Sequence, residues 1–198
     1  MNDTYRTISK NFIGTYKEKG SKFIACTYPF DSEDQLKNIL ELSRKQHLKA
    51  SHHCYAYRIG TEGKRFRAND DGEPSGTAGR PILGQIDRME LTNLLLIVVR
   101  YYGGSKLGTS GLKRAYKEAS KDALEQAKII EKIKSKRYVI EFDYAITSDI
   151  MHLIKSASYT IISADYGGTK TQLILDIRDG QAQQFLKQIK DFDQLHLL

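Results

Sequence analysis

The chain has no tryptophan, only three prolines and only two cysteines, Cys26 and Cys54, in 198 residues. Two thiols do not make a disulfide scaffold, and their scarcity fits a reducing compartment. Long hydrophobic runs are also missing. The longest, Leu94 to Val99, falls far short of the ~20 residues needed to span a bilayer. The opening stretch, Asn2 to Lys10, is polar and unlike a signal peptide. There is no C-x-x-C or H-x-x-x-H pair, and His52 and His53 are neighbours whose side chains would leave a strand on opposite faces. Zinc is therefore not expected. No G-x-G-x-x-G fingerprint occurs, and although Gly103 and Gly108 have the spacing of a P-loop, Thr109 stands where its lysine should be. These absences exclude an ATPase and a dehydrogenase, and lead us to expect a cytoplasmic protein with no metal, cofactor or membrane partner.

What is present is charge, unevenly spread. With 40% apolar and 28% charged residues the composition is that of a globular protein. Residues 1–134 hold 24 Lys and Arg against 16 Asp and Glu, a balance of +8, whereas residues 135–198 hold 7 against 8. A first half of that sign favours polyanions or phosphorylated ligands.

The pattern changes at the same place. After Lys136, residues Tyr138, Ile140, Phe142 and Tyr144 alternate with Glu141 and Asp143, the period of a strand. Ser148 is expected to cap a helix over Asp149 to Ala157, followed by strands over Tyr159–Asp165 and Thr169–Ile177 around Gly167-Gly168. A helix from Asp179 to Lys190 and a short strand at Leu195–Leu198 complete the order β-α-β-β-α-β, that of a ferredoxin-like unit. In the first half, Thr4–Tyr16 and Ser21–Tyr28 read as strands around a turn at Lys19-Gly20. Asp31 or Ser32 is expected to cap a helix with Leu36, Ile39, Leu40 and His47 on its buried stripe. Cys54–Ile59 reads as a strand, and Leu94–Arg100, without polar alternation, as a central strand covered on both faces. Helices are expected from about Pro81 and along the stripe Leu112, Ala115, Tyr116, Ala119, Ala123 and Ala127. The fold class is α+β, in two domains, 1–134 and 135–198.

Two glycine-rich segments interrupt the first domain. The first, Asp70 to Pro81, carries Asp70, Asp71 and Glu73 among the loop-forming residues Gly72, Pro74, Gly76, Thr77 and Gly79. The second, Arg100 to Arg114, links the central strand to a helix and holds Tyr101, Gly103, Gly104, Lys106, Gly108, Thr109, Lys113 and Arg114. Strand, glycine turn and helix together aim free backbone N–H groups and a helix dipole toward an anion, and Thr109 or Ser110 could cap that helix. The acids admit three uses: holding a cation, which their spacing does not favour; moving protons with His52; or pairing with Arg65, Arg67, Arg80 or Arg100. An acid–arginine network is the expectation. Cys54 and His52 share a strand face and could form a nucleophilic pair, but no orienting third group is evident.

The run Asn69 to Pro81, with Val99-Arg100-Tyr101-Tyr102-Gly103-Gly104-Ser105-Lys106-Leu107-Gly108, resembles the IMPACT family in its two-domain bacterial, YigZ-like branch. Lys19 to Phe23 and Ala50 to Arg58 fit the same pattern, so the resemblance spans the first domain. It implies a first domain with the fold shared by a small-subunit ribosomal protein, the RNase PH superfamily and domain IV of elongation factor G. The second would be like domain V of that factor. The resemblance also implies eukaryotic relatives that regulate translation and carry an extra N-terminal domain, which this sequence is not expected to have. The leading expectation is a non-enzymatic regulator binding RNA or the ribosome through Lys22, Arg80, Arg100, Lys106, Lys113 and Arg114. The alternatives are an enzyme for a small anionic or phosphorylated substrate between the two loops, with His52, Asp70, Asp71 and Glu73 moving protons, and a protein-binding adaptor.

Overall fold

The computed structural model describes residues 3–198. It divides into two compact units, one formed by residues 5–132 and the other by residues 133–198 with residues 3–4.

The larger unit is built on a five-stranded antiparallel sheet. Its strands are β2 (Ile13–Glu18), β3 (Ser21–Pro29), β4 (His52–Ile59), β5 (Arg65–Asn69) and β6 (Leu94–Tyr101), in the order β2-β3-β6-β4-β5. The central place belongs to β6, because Leu94–Val99 offers apolar side chains to both faces and all six are fully buried. One face packs on α2 (Gly79–Arg88) and α3 (Gly108–Glu125) through Phe23, Cys54, Ala56, Leu96, Ile86 and Tyr116. The opposite face carries Tyr55, Tyr57, Ile97 and Val99 against Leu36, Ile39 and Leu40 of α1 (Leu36–Gln46). Ser32 does cap, though it accepts the Asp34 N–H at a 3-10 turn, Glu33–Gln35, that precedes α1.

Several expectations require correction. The expected strand from Thr4 to Tyr16 is two strands. β1 (Thr4–Ile8) leaves the large sheet and pairs with β7 (Ile129–Ile133), because Thr7 and Ile8 bury where the polar stretch Ser9–Asn11 cannot. Neither Thr109 nor Ser110 caps α3: the helix begins at Gly108, and its N-cap Leu107 makes no side-chain capping bond. His47 is only half-buried, beyond the end of α1 as its C-cap. Ala127 lies past the end of α3 but still packs on its core.

The smaller unit has β8 (Ser135–Asp143), α4 (Thr147–Ser156), β9 (Thr160–Asp165), β10 (Lys170–Arg178), α5 (Ala182–Ile189) and β11 (Leu195–Leu197). Its sheet runs β11-β8-β10-β9 with every neighbouring pair antiparallel. Ile140, Phe142, Leu173, Leu175 and Ile177 alternate onto one face and bury Ile150, Ile154 and Phe185 of the two helices. Ser148 is not the cap of α4. A 3-10 turn, Tyr144–Ile146, leads into the helix instead, and the Thr147 hydroxyl donates to the Tyr144 carbonyl.

Candidate functional site

The acidic loop is held shut by its own acids. Asp70 accepts N–H bonds from Gly76, Ala78 and Gly79 at 2.8–2.9 Å, which folds the segment into a ring around one carboxylate. Burial alone would raise its pKa, but those N–H bonds and the nearby Arg80 outweigh it and hold the group below the ordinary value. Gly79 is required where α2 begins: a Cβ there would lie 2.5 Å from the Asn69 nitrogen. Asp71 ties the loop to β4 and α1, accepting the His53 N–H at 2.7 Å and an Arg44 guanidinium N–H at 3.1 Å. His52 Nδ1 lies 2.8 Å from the Asp71 carbonyl oxygen, and its ring packs against Gly72. Thr77 donates its hydroxyl to the Pro74 carbonyl, closing the turn.

Glu73 goes inward. With its side chain 3% exposed, its Oε1 accepts from Arg100 Nη1 at 2.7 Å and from the Tyr116 hydroxyl at 2.8 Å, and His52 Nε2 stands 3.9 Å away. Arg100 comes from β6 and Tyr116 from α3, so one carboxylate joins the acidic loop, the central strand and the long helix. Arg100 is itself buried between the rings of Phe23 and Tyr102, with its Nε unpartnered. The Cys54 sulfur sits 3.0 Å from the Asp70 carbonyl and 3.3 Å from the Tyr116 hydroxyl. Burial pushes both the Cys54 thiol and the Tyr116 hydroxyl far up, and neighbouring carboxylates push the same way. The Cys54 thiol is turned to the Asp70 carbonyl and His52 to the Asp71 carbonyl and Glu73, so the two are not joined as a nucleophilic pair.

The second loop is pinned at one point and open elsewhere. A Cβ on Gly103 would fall 1.9 Å from the Gly20 carbonyl carbon, so the Lys19-Gly20 turn and the loop touch backbone to backbone. Beyond it, Gly104, Ser105, Lys106, Gly108, Thr109 and Lys113 are exposed.

A match to the Impact N-terminal domain covers residues 19–124, and a domain of unknown function, DUF1949, covers residues 140–192. YigZ of Escherichia coli, an IMPACT family member, is 35% identical over 150 residues, 75% of this chain and 74% of its own length. The chain belongs to the IMPACT family. YvyE of Bacillus subtilis, another IMPACT family member, is 33% identical over 146 residues, 74% of this chain and 67% of its own. A solved structure described as a hypothetical protein superposes with a TM-score of 0.73 at 30% identity, covering 100% of this chain and 98% of that one.

The residues singled out in this IMPACT-family sequence fall into two groups. Asp70, Asp71, Glu73, Arg100 and His52 converge on one network, as the acid–arginine expectation has it, though with Arg44 and Arg100 as the partners. Arg65, Arg67 and Arg80 make no ion pair among the described residues. Arg100 is thus spent on Glu73 and is not presented to a surface phosphate, and the Tyr101 hydroxyl is spent on His47 Nδ1 at 2.8 Å. Arg114 pairs with Glu18. Lys22, Arg80, Lys106 and Lys113 are exposed and make no ion pair among the described residues. The participation of Tyr116 and Arg44 was not legible in the acidic loop, because both belong to helices far from it in sequence. No cluster of metal-ligating side chains is found among the described residues, and none of their helices is long and apolar enough to cross a membrane.

Proposed function

We propose that this chain is a cytoplasmic, translation-associated regulator whose N-terminal domain, residues 1–134, binds the phosphates of RNA on or from the ribosome. The observation that carries this reading is the division of labour around the loops. All three loop acids are consumed by protein donors, while Lys22, Lys106 and Lys113 are exposed and make no ion pair among the described residues, and Arg80, though it lies near Asp70, is exposed as well. Exposed cations with backbone N–H groups at the start of α3 suit a polyanion more than a small substrate needing proton transfer. The resemblance to translation regulators supports the same direction. The second domain, 135–198, reads as a ferredoxin-like unit: its four strands, taken in chain order, lie 4-1-3-2 in the sheet.

The test is fluorescence anisotropy of the full chain with a labelled ribosomal RNA fragment. Arg80→Ala, Lys106→Ala and Lys113→Ala should each weaken binding across unrelated RNA sequences alike, as phosphate contacts do. Absence of binding at low salt, or loss on one sequence only, would refute the reading.

A further inference from the structure

A second feature of the larger unit lies on the α1 face of the sheet, with one end next to Tyr101. α1 covers only part of its face of the sheet, and beside it β2 and β3 form the floor of an open groove of about 480 Å³. The floor is apolar, from Ile24, Cys26 and Tyr28, and burial pushes the Tyr28 hydroxyl up to about 12, with Cys26 adding to the rise. Ile13 on one wall and Leu42 of α1 on the other stay 61% and 49% exposed. Apolar side chains left wet on both rims are covered only by something that lies over the groove, not by a small molecule sunk into it.

The charge at one end is one-sided. The register of β2 and β3 puts Ile13 opposite Cys26, Thr15 opposite Ile24 and Lys17 opposite Lys22. Two lysines directly across an antiparallel pair repel, and neither makes an ion pair among the described residues. His47 closes the same end, and no carboxylate lines the groove. An open apolar trough ending in an uncompensated pair of cations is complementary to a helix with an apolar face and acids at one end.

We propose that this groove docks an amphipathic helix of a partner protein, its apolar residues lying between Ile13 and Leu42 and its acidic end on Lys17 and Lys22. An RNA backbone is the less complementary occupant, because it would leave Ile13, Ile24 and Leu42 uncovered. The inference shares Lys22 with the RNA reading, and the RNA and peptide probes below separate the two.

The test uses the full chain labelled with ¹⁵N and three probes. The first is a synthetic helical peptide with leucines at i, i+3, i+4 and i+7 and glutamates at one end; the second carries lysines in place of those glutamates; the third is a single-stranded RNA oligonucleotide. The acidic peptide should shift the amides of Ile13, Thr15, Ile24, Cys26 and Leu42, and the basic one should not. Lys17→Ala and Lys22→Ala should each weaken the acidic peptide about two- to fivefold, as exposed ion pairs do. Leu42→Asp, a surface change that leaves the fold intact, should weaken it about tenfold or more. Equal response to both peptides, no response to the acidic one, or groove shifts produced by the RNA alone would overturn the proposal.

Discussion

Replacing Glu73 should damage the protein more than any other single change in the two loops. Glu73→Ala leaves the Arg100 guanidinium, 6% exposed, without its carboxylate and removes the acceptor of the Tyr116 hydroxyl. Breaking a buried pair from one side costs about 3–5 kcal/mol, a large share of the ~5–15 kcal/mol that holds a domain folded. Glu73→Gln keeps an oxygen for both donors but loses the charge, and neutral acceptors are about half as strong, so about half that loss is expected. Glu73→Leu with Arg100→Met removes both charges together and should recover at least ~2 kcal/mol of the summed single losses. The unpartnered Nε of Arg100 helps that recovery, since removing it also relieves a buried donor with no acceptor. Because the chain divides into two compact units, amide hydrogen exchange across Leu95–Val99 is the right assay: it reports the opening free energy of the larger unit itself. A loss under about 1 kcal/mol for Glu73→Ala, or strict additivity in the double variant, would refute the claim that this carboxylate locks the loop to the sheet and α3.

Gly103→Ala should open the contact with the Lys19-Gly20 turn, since its Cβ would collide with backbone; a loss of ~1–3 kcal/mol in chemical unfolding is expected, and a silent substitution would count against the close approach. Cys54 should resist a thiol reagent in the native protein and react only on unfolding, because burial keeps it protonated; rapid native labelling of a Cys26→Ser variant would contradict this. Stability should fall on acidification in two stages. His53 is pushed below 6.5 by burial, against the pull of Asp71, so its neutral form contributes above 6.5 and the contribution is lost as pH drops through its lower folded value. Asp70, held below 3.8 overall, contributes above that pH and loses its contribution beneath it. Urea midpoints that rise between pH 7 and 5, or an acid limb unchanged in Asp70→Asn, would sink the assignment.

The parts of the fold legible in the sequence are those whose pattern and burial agree. The unbroken apolar run of β6, the alternation Tyr138-Ile140-Phe142 of β8 and the alanine-rich stripe of α3 each bury the face that their period marks. The strands that escaped, β5 with Arg-Phe-Arg-Ala-Asn and β7 with Ile-Ile-Glu-Lys-Ile, are short and mostly exposed. Each pairs with a single neighbour, so neither carries the alternation of a half-buried strand. The site was partly legible: the glycine loops and the acid–arginine pairing could be expected from spacing. Which acid turns inward could not. Asp70, Asp71 and Glu73 look alike in sequence, and only Tyr116, 43 residues on, and Arg100 make Glu73 the buried one. For the same reason Arg100 looked like a phosphate ligand and proves to be an internal strut.

The central claim, that the exposed lysines around the loops meet RNA phosphates, is tested most directly by the salt dependence of binding. The affinity of the full chain for single-stranded ribosomal RNA should fall with a log–log slope of about −0.7 for each phosphate neutralised. Lys106→Ala combined with Lys113→Ala should flatten that slope by about 1.4 units, whereas Glu73→Gln, measured under conditions where it remains folded, should leave it unchanged. Binding that ignores salt, or a slope indifferent to both lysines, would contradict the account.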